Sequence, residues 1–253
     1  MLYSPFSSLA RLSRTAMKLN TYHYLPLGHL SSRSLEGVER RVRGVVFDMD
    51  GTLTKPVRGM FPRMRDALGI DEKTDILGHM MKLSGEERKR ADKLISDIEY
   101  EAMIEMALQP GLDELLAFLE LHKIPKAILT RNNPVTVSHL LSYHLNSYTF
   151  APVLDRTYEP PKPSPEPLLY ISKEWNVSIE DIIMVGDGHF DMLCARDAGS
   201  ILAFVDNDGE GDPKGAQWRQ KRESAQDESG SDIVVQNLGE LLNVLRDGFF
   251  IHR

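Results

Sequence analysis

The amino-acid sequence predicts an α/β protein with a doubly wound parallel sheet and a small helical segment inserted after its first strand. Short apolar runs alternate with helical stretches along residues 42–247, and this order produces βαβ units and a parallel sheet. Residues 57–108 interrupt the alternation, because they are rich in Met, Glu, Lys and Arg at helical spacing. A chain of 253 residues is long enough for one such domain with its insertion.

Each predicted element follows from a local pattern. The first strand, over 42–48, is a β-branched apolar run that ends in an acid, as in strands buried in a parallel sheet. The stretch over 112–121 carries four leucines on one helical face. Further strands are predicted over 126–130, 148–154, 182–185, 201–205 and 233–235, and further helices over 135–145, 164–175, 190–198 and 238–245.

Residues 206–231 fit none of these elements. They are rich in Gly, Asp and Ser, with charges of both signs. Such a composition buries little apolar surface and is typical of a flexible loop. We therefore predict a flexible insertion within the core at 206–231.

The N-terminal residues differ from the rest in charge. Residues 1–43 contain seven Arg and Lys against two Glu, a balance of +5, which leaves −12 for the remainder of a chain whose total is −7. No acid precedes Glu36, and Ser and Arg are frequent, as in organelle transit peptides. We predict a disordered transit peptide over 1–41, directed to a plastid (chloroplast) or mitochondrion, and a folded domain from about Val42. The alternative is a basic tail without a sorting role on a cytoplasmic protein.

Composition also argues against several classes of protein. The acidic remainder has no basic footprint for nucleic acid, and no apolar run approaches the ~18 residues that cross a bilayer. The single cysteine, Cys194, excludes an internal disulfide and lies in an apolar stretch, as a small buried side chain does. We expect neither a nucleic-acid nor a membrane partner, and the oligomeric state stays open.

Polar residues follow four of the predicted strands, at the edge where open parallel sheets bind ligands. Taken singly, each is equally consistent with a turn, a helix cap or an exposed loop residue. Because the carboxyl ends of parallel strands meet at one edge, we expect the residues to form one site. In chain order they are Asp48, Asp50 and Gly51, then Thr130 and Arg131, then Lys162, and finally Asp187 and Asp191.

These residue types suit the hydrolysis of a phosphate ester. An ionised carboxylate such as Asp48 can attack phosphorus without first losing a proton. A cation must then separate the carboxylate from the phosphate, and Mg²⁺ prefers oxygen ligands. The predicted ligands are the side chains of Asp48 and Asp187 and the backbone carbonyl of Asp50, with Asp191 acting directly or through water.

The other residues at this edge have separate predicted tasks. Lys162 adds positive charge at the nucleophile, and Thr130 binds phosphoryl oxygens together with backbone N–H groups. Asp50 lies two residues beyond the nucleophile, so it can protonate the leaving oxygen and later deprotonate water. Gly51 permits the close turn in the phosphate-binding loop. Arg131 either binds a substrate anion or pairs with an acidic neighbour.

The ordered motifs resemble those of the haloacid dehalogenase-like hydrolase superfamily over about residues 42–247. Asp48-x-Asp50-Gly51-Thr52 resembles the first motif, Thr130 the second, Lys162 the third, and Gly186-Asp187 with Asp191 the fourth. This resemblance implies a Rossmann-like core over 42–56 and 109–253, with a helical cap over 57–108.

The resemblance also implies an activity: a Mg²⁺-dependent phosphoric monoester phosphatase that acts on a small phosphorylated metabolite through an aspartyl-phosphate. A phosphomutase and a non-catalytic phosphate-binding module are the alternatives. A dehalogenase is disfavoured, because that branch needs neither Asp50 nor the metal. Gly188 departs from the family pattern, since many relatives carry a hydroxyl there. His189 is expected at the surface or next to the site residues rather than as a catalytic base, and Arg58, Arg63 and Arg65 are candidate contacts for a substrate anion.

Overall fold

The computed structural model describes residues 21–27, 38–207, 218–219 and 230–252. The strands in chain order are β1 (Thr21–Tyr24), β2 (Val38–Arg40), β3 (Gly44–Phe47), β4 (Lys126–Leu129), β5 (Val153–Leu154), β6 (Ile182–Gly186), β7 (Ile201–Val205), β8 (Ile233–Val235) and β9 (Phe249–His252). The α-helices are α1 (Met60–Leu68), α2 (Ile76–Met80), α3 (Gly85–Ile104), α4 (Leu112–Leu121), α5 (Pro134–His139), α6 (Glu166–Trp175), α7 (His189–Ala198) and α8 (Leu238–Asp247). No helix in these ranges is long and apolar enough to cross a membrane.

The core is a six-stranded sheet in the order β5-β4-β3-β6-β7-β8, with every neighbouring pair parallel. All residues of β3, β4, β6 and β7 are buried, because helices cover both faces of the sheet. The predicted α/β fold is therefore confirmed. Since β3 lies between β4 and β6, the first motif is flanked by the ends of the strands that carry the second and fourth.

Successive residues of the central strand pack on opposite faces. Val45 and Phe47 join the apolar cluster that contains the leucines of α4 and α8. Val46, between them, joins the cluster on the other face, which contains residues of α6 and α7. This alternation follows from the period of two in a strand.

The cap consists of α1, α2 and α3 and has an apolar cluster of its own, built around Met60, Met64 and Ile95. The predicted helical character of residues 57–108 is therefore seen. The two segments that join the cap to the core run side by side. The backbone N–H of Lys55 donates to the carbonyl of Ala107 over 2.8 Å. A bridge between Thr54 and Leu108 continues this pairing.

A second, three-stranded sheet contains part of the segment predicted to be disordered. β1 pairs in parallel with β2 and antiparallel with β9. Tyr24 is buried, stacks on Phe249 with ring centroids 4.9 Å apart, and donates a hydrogen bond of 2.5 Å to the carbonyl of Glu180. The prediction of disorder over the whole of 1–41, with folding from Val42, is therefore wrong for 21–27 and 38–40. The pairing joins distant parts of the chain, so no local pattern shows it; residues 1–20 lie outside the described ranges.

Other boundaries also differ from the predictions. The third strand of the core is only Val153–Leu154, and the helix over 135–145 becomes a π-helical turn at Leu140–His144. In the predicted flexible insertion at 206–231, Trp218 is fully buried, and its Nε1 donates to Nδ1 of His189 over 3.0 Å. Trp218 belongs to the apolar cluster that contains residues of α6 and α7, and the flexibility of the insertion stays a prediction. Residues 208–217 and 220–229 lie outside the described part.

Candidate active site

The carboxyl edge of the core sheet brings the predicted residues together. Asp48 directly follows β3, and its backbone N–H donates to the carbonyl of Val185 in β6 over 2.9 Å. Thr130 directly follows β4, and Asp187 directly follows β6. Lys162 comes from the long connection between β5 and α6. The parallel register therefore places side chains that are more than 100 residues apart, such as Lys162 and Asp48, in direct contact.

Lys162 is the positive centre of the site and is 3% exposed. Its Nζ donates to Oδ1 of Asp48 over 2.6 Å and to Oδ1 of Asp191 over 2.5 Å. Burial by itself would lower the pKa of Lys162, but the charges and hydrogen bonds of Asp191 and Asp48 outweigh it and raise the pKa above its ordinary value. The ammonium group therefore stays charged beside the carboxylate of Asp48.

Three carboxylates form an acidic cluster around this lysine. Oxygens of Asp48, Asp187 and Asp191 lie within 4.8 Å of one another. Burial, followed by the charge of Asp48, raises the pKa of Asp191 to about 6 and raises that of Asp187 well above its usual range. The raised pKa values reflect carboxyl groups that repel one another when they are ionised, and their clustered oxygen donors suit a divalent cation, which would relieve that repulsion.

Asp50 is held by Asn132, a residue at the same strand end as Thr130 to which the sequence argument gave no role. Nδ2 of Asn132 donates to Oδ2 of Asp50 over 2.7 Å, and the backbone N–H of Asn132 donates to Oγ1 of Thr130 over 3.1 Å. Burial, followed by the charge of Asp48, raises the pKa of Asp50 to about 7, although the Asn132 hydrogen bond opposes the shift. The only sequence signal for Asn132 is its position two residues beyond Thr130, at the same sheet edge.

Gly51 lets the first loop close on the acidic cluster. Its φ is +78°, and an added Cβ would lie 1.9 Å from Oδ2 of Asp187. Its carbonyl accepts hydrogen bonds of 2.9 Å from Nε2 of Gln109 and Nδ2 of Asn207, and Asn207 also donates to Asp187 over 3.1 Å. Gln109 and Asn207 were missed in the sequence. Asn207 follows the end of β7, so the rule that selected the other strand-end residues also covers it.

Arg131 lies at the border between core and cap. One of its terminal nitrogens donates to Oδ2 of Asp75, from the cap, over 2.8 Å. Its guanidinium carbon lies 4.7 Å from the ring centroid of Phe190. Of the two predicted roles, pairing with an acidic neighbour is the one present. Its Nε is nevertheless buried and has no hydrogen-bond partner within the described ranges, which leaves a donor for a further acceptor.

The remaining candidates lie outside the centre of the site. Arg63 pairs with Glu101 of the cap, and Arg58 borders an open cleft beside Asn207 and the segments that join cap to core. Arg65 has a buried Nε without a hydrogen-bond partner among the described residues. Gly188 contributes only its backbone N–H, which donates to Asp191 over 3.0 Å.

Comparison with known proteins identifies the class to which this site belongs. The sequence model of the haloacid dehalogenase-like hydrolases matches residues 42–199. A protein of Saccharomyces cerevisiae described as an uncharacterized hydrolase is 38% identical, over 69% of this chain and 82% of its own. A haloacid dehalogenase-like hydrolase domain-containing protein of Arabidopsis thaliana is 32% identical, over 94% of this chain and 97% of its own.

The chain therefore belongs to the haloacid dehalogenase-like hydrolases, and the predicted hydrolase of this superfamily is confirmed. A more distant relative, the phosphoglycolate phosphatase of Photobacterium profundum, is 23% identical over 81% of this chain and 96% of its own. Among solved structures, a haloacid dehalogenase hydrolase of Entamoeba histolytica covers 81% of this chain and all of its own, with a TM-score of 0.60 at 18% identity. That likeness confirms the fold.

Proposed function

We propose that the protein is a Mg²⁺-dependent phosphohydrolase that acts on a small phosphorylated metabolite through an aspartyl-phosphate formed on Asp48. One observation carries the proposal. The carboxylate of Asp48 touches the buried ammonium of Lys162, while the carboxyl group of Asp50, two residues on, is held by Asn132. A pure binding protein has no use for a nucleophile and a proton carrier side by side.

The residues present fit a magnesium ion. We assign its binding to the side chains of Asp48 and Asp187 and to the backbone carbonyl of Asp50. Both oxygens of Asp191 already accept hydrogen bonds, from Lys162 and from the Gly188 N–H, which favours a contribution of Asp191 through water. When bound, Mg²⁺ supplies the positive charge that offsets repulsion between a carboxylate nucleophile and a phosphate ester.

The first half of the reaction transfers the phosphoryl group to the protein. An oxygen of Asp48 forms a bond to phosphorus, while the bond from phosphorus to the ester oxygen breaks. Asp50 gives its proton to that leaving oxygen, which departs as an alcohol. Lys162 and Thr130 bind the phosphoryl oxygens, where negative charge is concentrated.

The second half returns the protein to its starting state. Asp50, now a carboxylate, takes a proton from a water molecule as the water oxygen bonds to phosphorus. The bond between phosphorus and Asp48 then breaks and releases inorganic phosphate. A carboxyl group whose pKa is about 7 is suited to both tasks near neutral pH, because neither its acid nor its base form is scarce.

Two observations support a small substrate with a second anionic group. The cap contacts the core beside the site, since Asp75 meets Arg131, whose neighbour Asn132 holds Asp50. The buried Nε of Arg131, which has no acceptor in the described structure, is available to an anion of the substrate. Relatives named phosphoglycolate phosphatase support the same class of substrate, a phosphate ester that also carries a carboxylate.

The test is release of inorganic phosphate from a panel of phosphorylated metabolites and from p-nitrophenyl phosphate, with Mg²⁺ and with a chelator. We expect Asp48→Asn to lower turnover by about 10⁴-fold or more. The matched control is Asp197→Asn, because Asp197 is an exposed carboxylate on α7 and its loss should leave turnover unchanged.

Three results would contradict the proposal. Asp48→Asn could keep more than about a tenth of the activity, which is far above the residual activity that remains after other nucleophiles are removed. Isomerisation of a sugar phosphate without release of phosphate would identify a phosphomutase instead. Saturable binding of phosphate esters without turnover would identify a non-catalytic binding module.

A further inference from the structure

Cap and core are joined by an ion pair between a buried carboxylate and a partly exposed guanidinium, which the proposed reaction does not use. Glu99, on α3 of the cap, is 7% exposed. It pairs with the guanidinium of Arg156, which follows β5 of the core. Its Oε2 also accepts a hydrogen bond of 2.8 Å from Nδ2 of Asn133. A carboxylate buried to this degree requires such partners, and the forked guanidinium fixes its orientation.

The same arginine supports the backbone beside the site. Nε of Arg156 donates to the carbonyl of Arg131 over 3.0 Å, and its backbone N–H donates to the carbonyl of Asn132 over 3.0 Å. One residue thus binds two successive carbonyls of the loop that follows β4. The position of that loop therefore depends on where Arg156 is held, and Glu99 is the carboxylate that holds it.

From this loop, two further hydrogen bonds reach the proposed acid/base. The backbone N–H of Asn133 donates to Oδ1 of Asn132 over 2.7 Å, which orients the amide of Asn132. Nδ2 of Asn132 then donates to Oδ2 of Asp50 over 2.7 Å. Asn132 is itself buried, so its amide has little freedom to turn. A continuous set of hydrogen bonds therefore joins a cap residue, Glu99, to the carboxyl group of Asp50.

We propose that Glu99 and Arg156 are positioning residues that clamp α3 of the cap to the loop at 131–133 and thereby fix, through Asn132, the carboxyl group of Asp50. The inference rests on the proposed function, because it gives a task to the acid/base. Its physical basis is that a misplacement of about 1 Å at a reacting group can lower a rate by about 10²-fold. Loss of the clamp should therefore affect proton transfer more than substrate binding.

The first experiment measures release of the leaving group in a single turnover from two substrates. An alkyl phosphate needs a proton from Asp50, whereas p-nitrophenyl phosphate has a good leaving group and needs little help. We expect Glu99→Gln to lower the rate of leaving-group release from the alkyl ester by about 10-fold or more. This is a part of the roughly 10²–10⁴-fold rate increase that general acid catalysis supplies. The rate for the p-nitrophenyl ester should fall much less. The half-saturating concentration should stay nearly constant for both substrates.

Two further variants separate positioning from general damage. Arg156→Lys keeps the positive charge but lacks the fork that reaches the carbonyl of Arg131, so it should show the same preference for the good leaving group. Asp97→Asn is the matched control, because Asp97 lies on the same helix and forms an exposed pair with Lys93. The control should leave both rates unchanged.

A second measurement does not depend on catalysis. Amide hydrogen exchange at 131–133 should quicken in Glu99→Gln, and not in Asp97→Asn, because only the former loses the clamp. Glu99→Gln combined with Asn132→Ala should cost less than the sum of the two single changes, since both act on Asp50 by one route.

Equal slowing of both esters, additive effects in the double variant, or unchanged exchange at 131–133 would overturn the clamp. The failure of the proposed function can be told apart from the failure of the clamp. If the wild-type protein released no phosphate but Glu99→Gln still showed faster exchange at 131–133, the clamp would be supported and the proposed function refuted.

Discussion

Replacing Gly51 by alanine tests whether the close approach of the first loop to Asp187 is needed for metal binding. Gly51 has a φ of +78°, and the new Cβ would lie 1.9 Å from Oδ2 and 2.4 Å from Cγ of Asp187. An ordinary contact of a Cβ begins at 3.4 Å. The loop and the carboxylate must therefore separate by about 1.5 Å, more than the ~1 Å misplacement that can lower turnover by 10²-fold.

Gly51→Ala should lose both stability and turnover, and a substitution at a second glycine separates the two effects. Alanine in the left-handed region costs about 1–2 kcal/mol by itself, and this term should apply at any glycine of similar φ. Gly59, in the cap, has a φ of +73°, and none of the described residues has an atom within 4 Å of an added Cβ. Gly59→Ala should lower the melting temperature by about 2–4 °C per kcal/mol and leave turnover unchanged. Gly51→Ala should show the same loss of stability and, in addition, bind Mg²⁺ more weakly and turn over at least ~10²-fold more slowly.

The assay is a titration of phosphate release against Mg²⁺ for the two variants and the wild type, with melting temperatures measured in parallel. Displacement of Asp187 should move the half-saturating Mg²⁺ concentration upward in Gly51→Ala alone. If Gly51→Ala kept the wild-type Mg²⁺ dependence and turned over within about threefold of wild type, well short of the ~10²-fold expected, Asp187 would not be the metal ligand that we infer.

Three other predictions concern the carboxylates and the N-terminus. In calorimetric titrations, Asp187→Asn should weaken Mg²⁺ binding. Asp50→Asn should bind Mg²⁺ nearly as before while its turnover collapses. Equal losses of Mg²⁺ affinity in the two variants would refute the acid/base role of Asp50. Folded Asp50 keeps its proton up to its raised pKa of about 7, whereas the unfolded chain loses it near the ordinary value of about 4. Because the folded state binds more protons in that window, raising the pH through it should lower the stability of the Mg²⁺-free protein. Burial also raises the pKa of Asp187, the inferred metal ligand, well above its usual range, so protons compete with Mg²⁺ at low pH. Mg²⁺ should therefore raise the melting temperature more at pH 8 than at pH 5; an equal rise at both would contradict this. Finally, because β1 begins at Thr21, we place the import signal in residues 1–20, whose fusion to a fluorescent reporter should reach an organelle; a wholly cytosolic reporter would exclude it.

The sequence by itself predicted the core and the placement of most site residues at its edge, because both depend on local patterns. A buried parallel strand is a short apolar run, and its carboxyl end must face the ligand-binding edge. The position of a residue at the end of such a run is therefore enough to predict its place in the site. Asp48, Thr130 and Asp187 were found in this way, and each lies directly after β3, β4 or β6.

Only the tertiary structure decided which side chains meet. Asn207 and Gly51 are 156 residues apart in the chain, and Asn132 and Asp50 are 82 apart. The cap places Asp75 beside Arg131, a pairing that the sequence offered only as one of two roles. β1 escaped prediction because its four residues pair with β2 and β9 rather than form a local pattern. Helix and strand periods are set by neighbours in the chain, whereas hydrogen bonds between distant polar residues depend on the packing of whole elements, which a single sequence does not reveal.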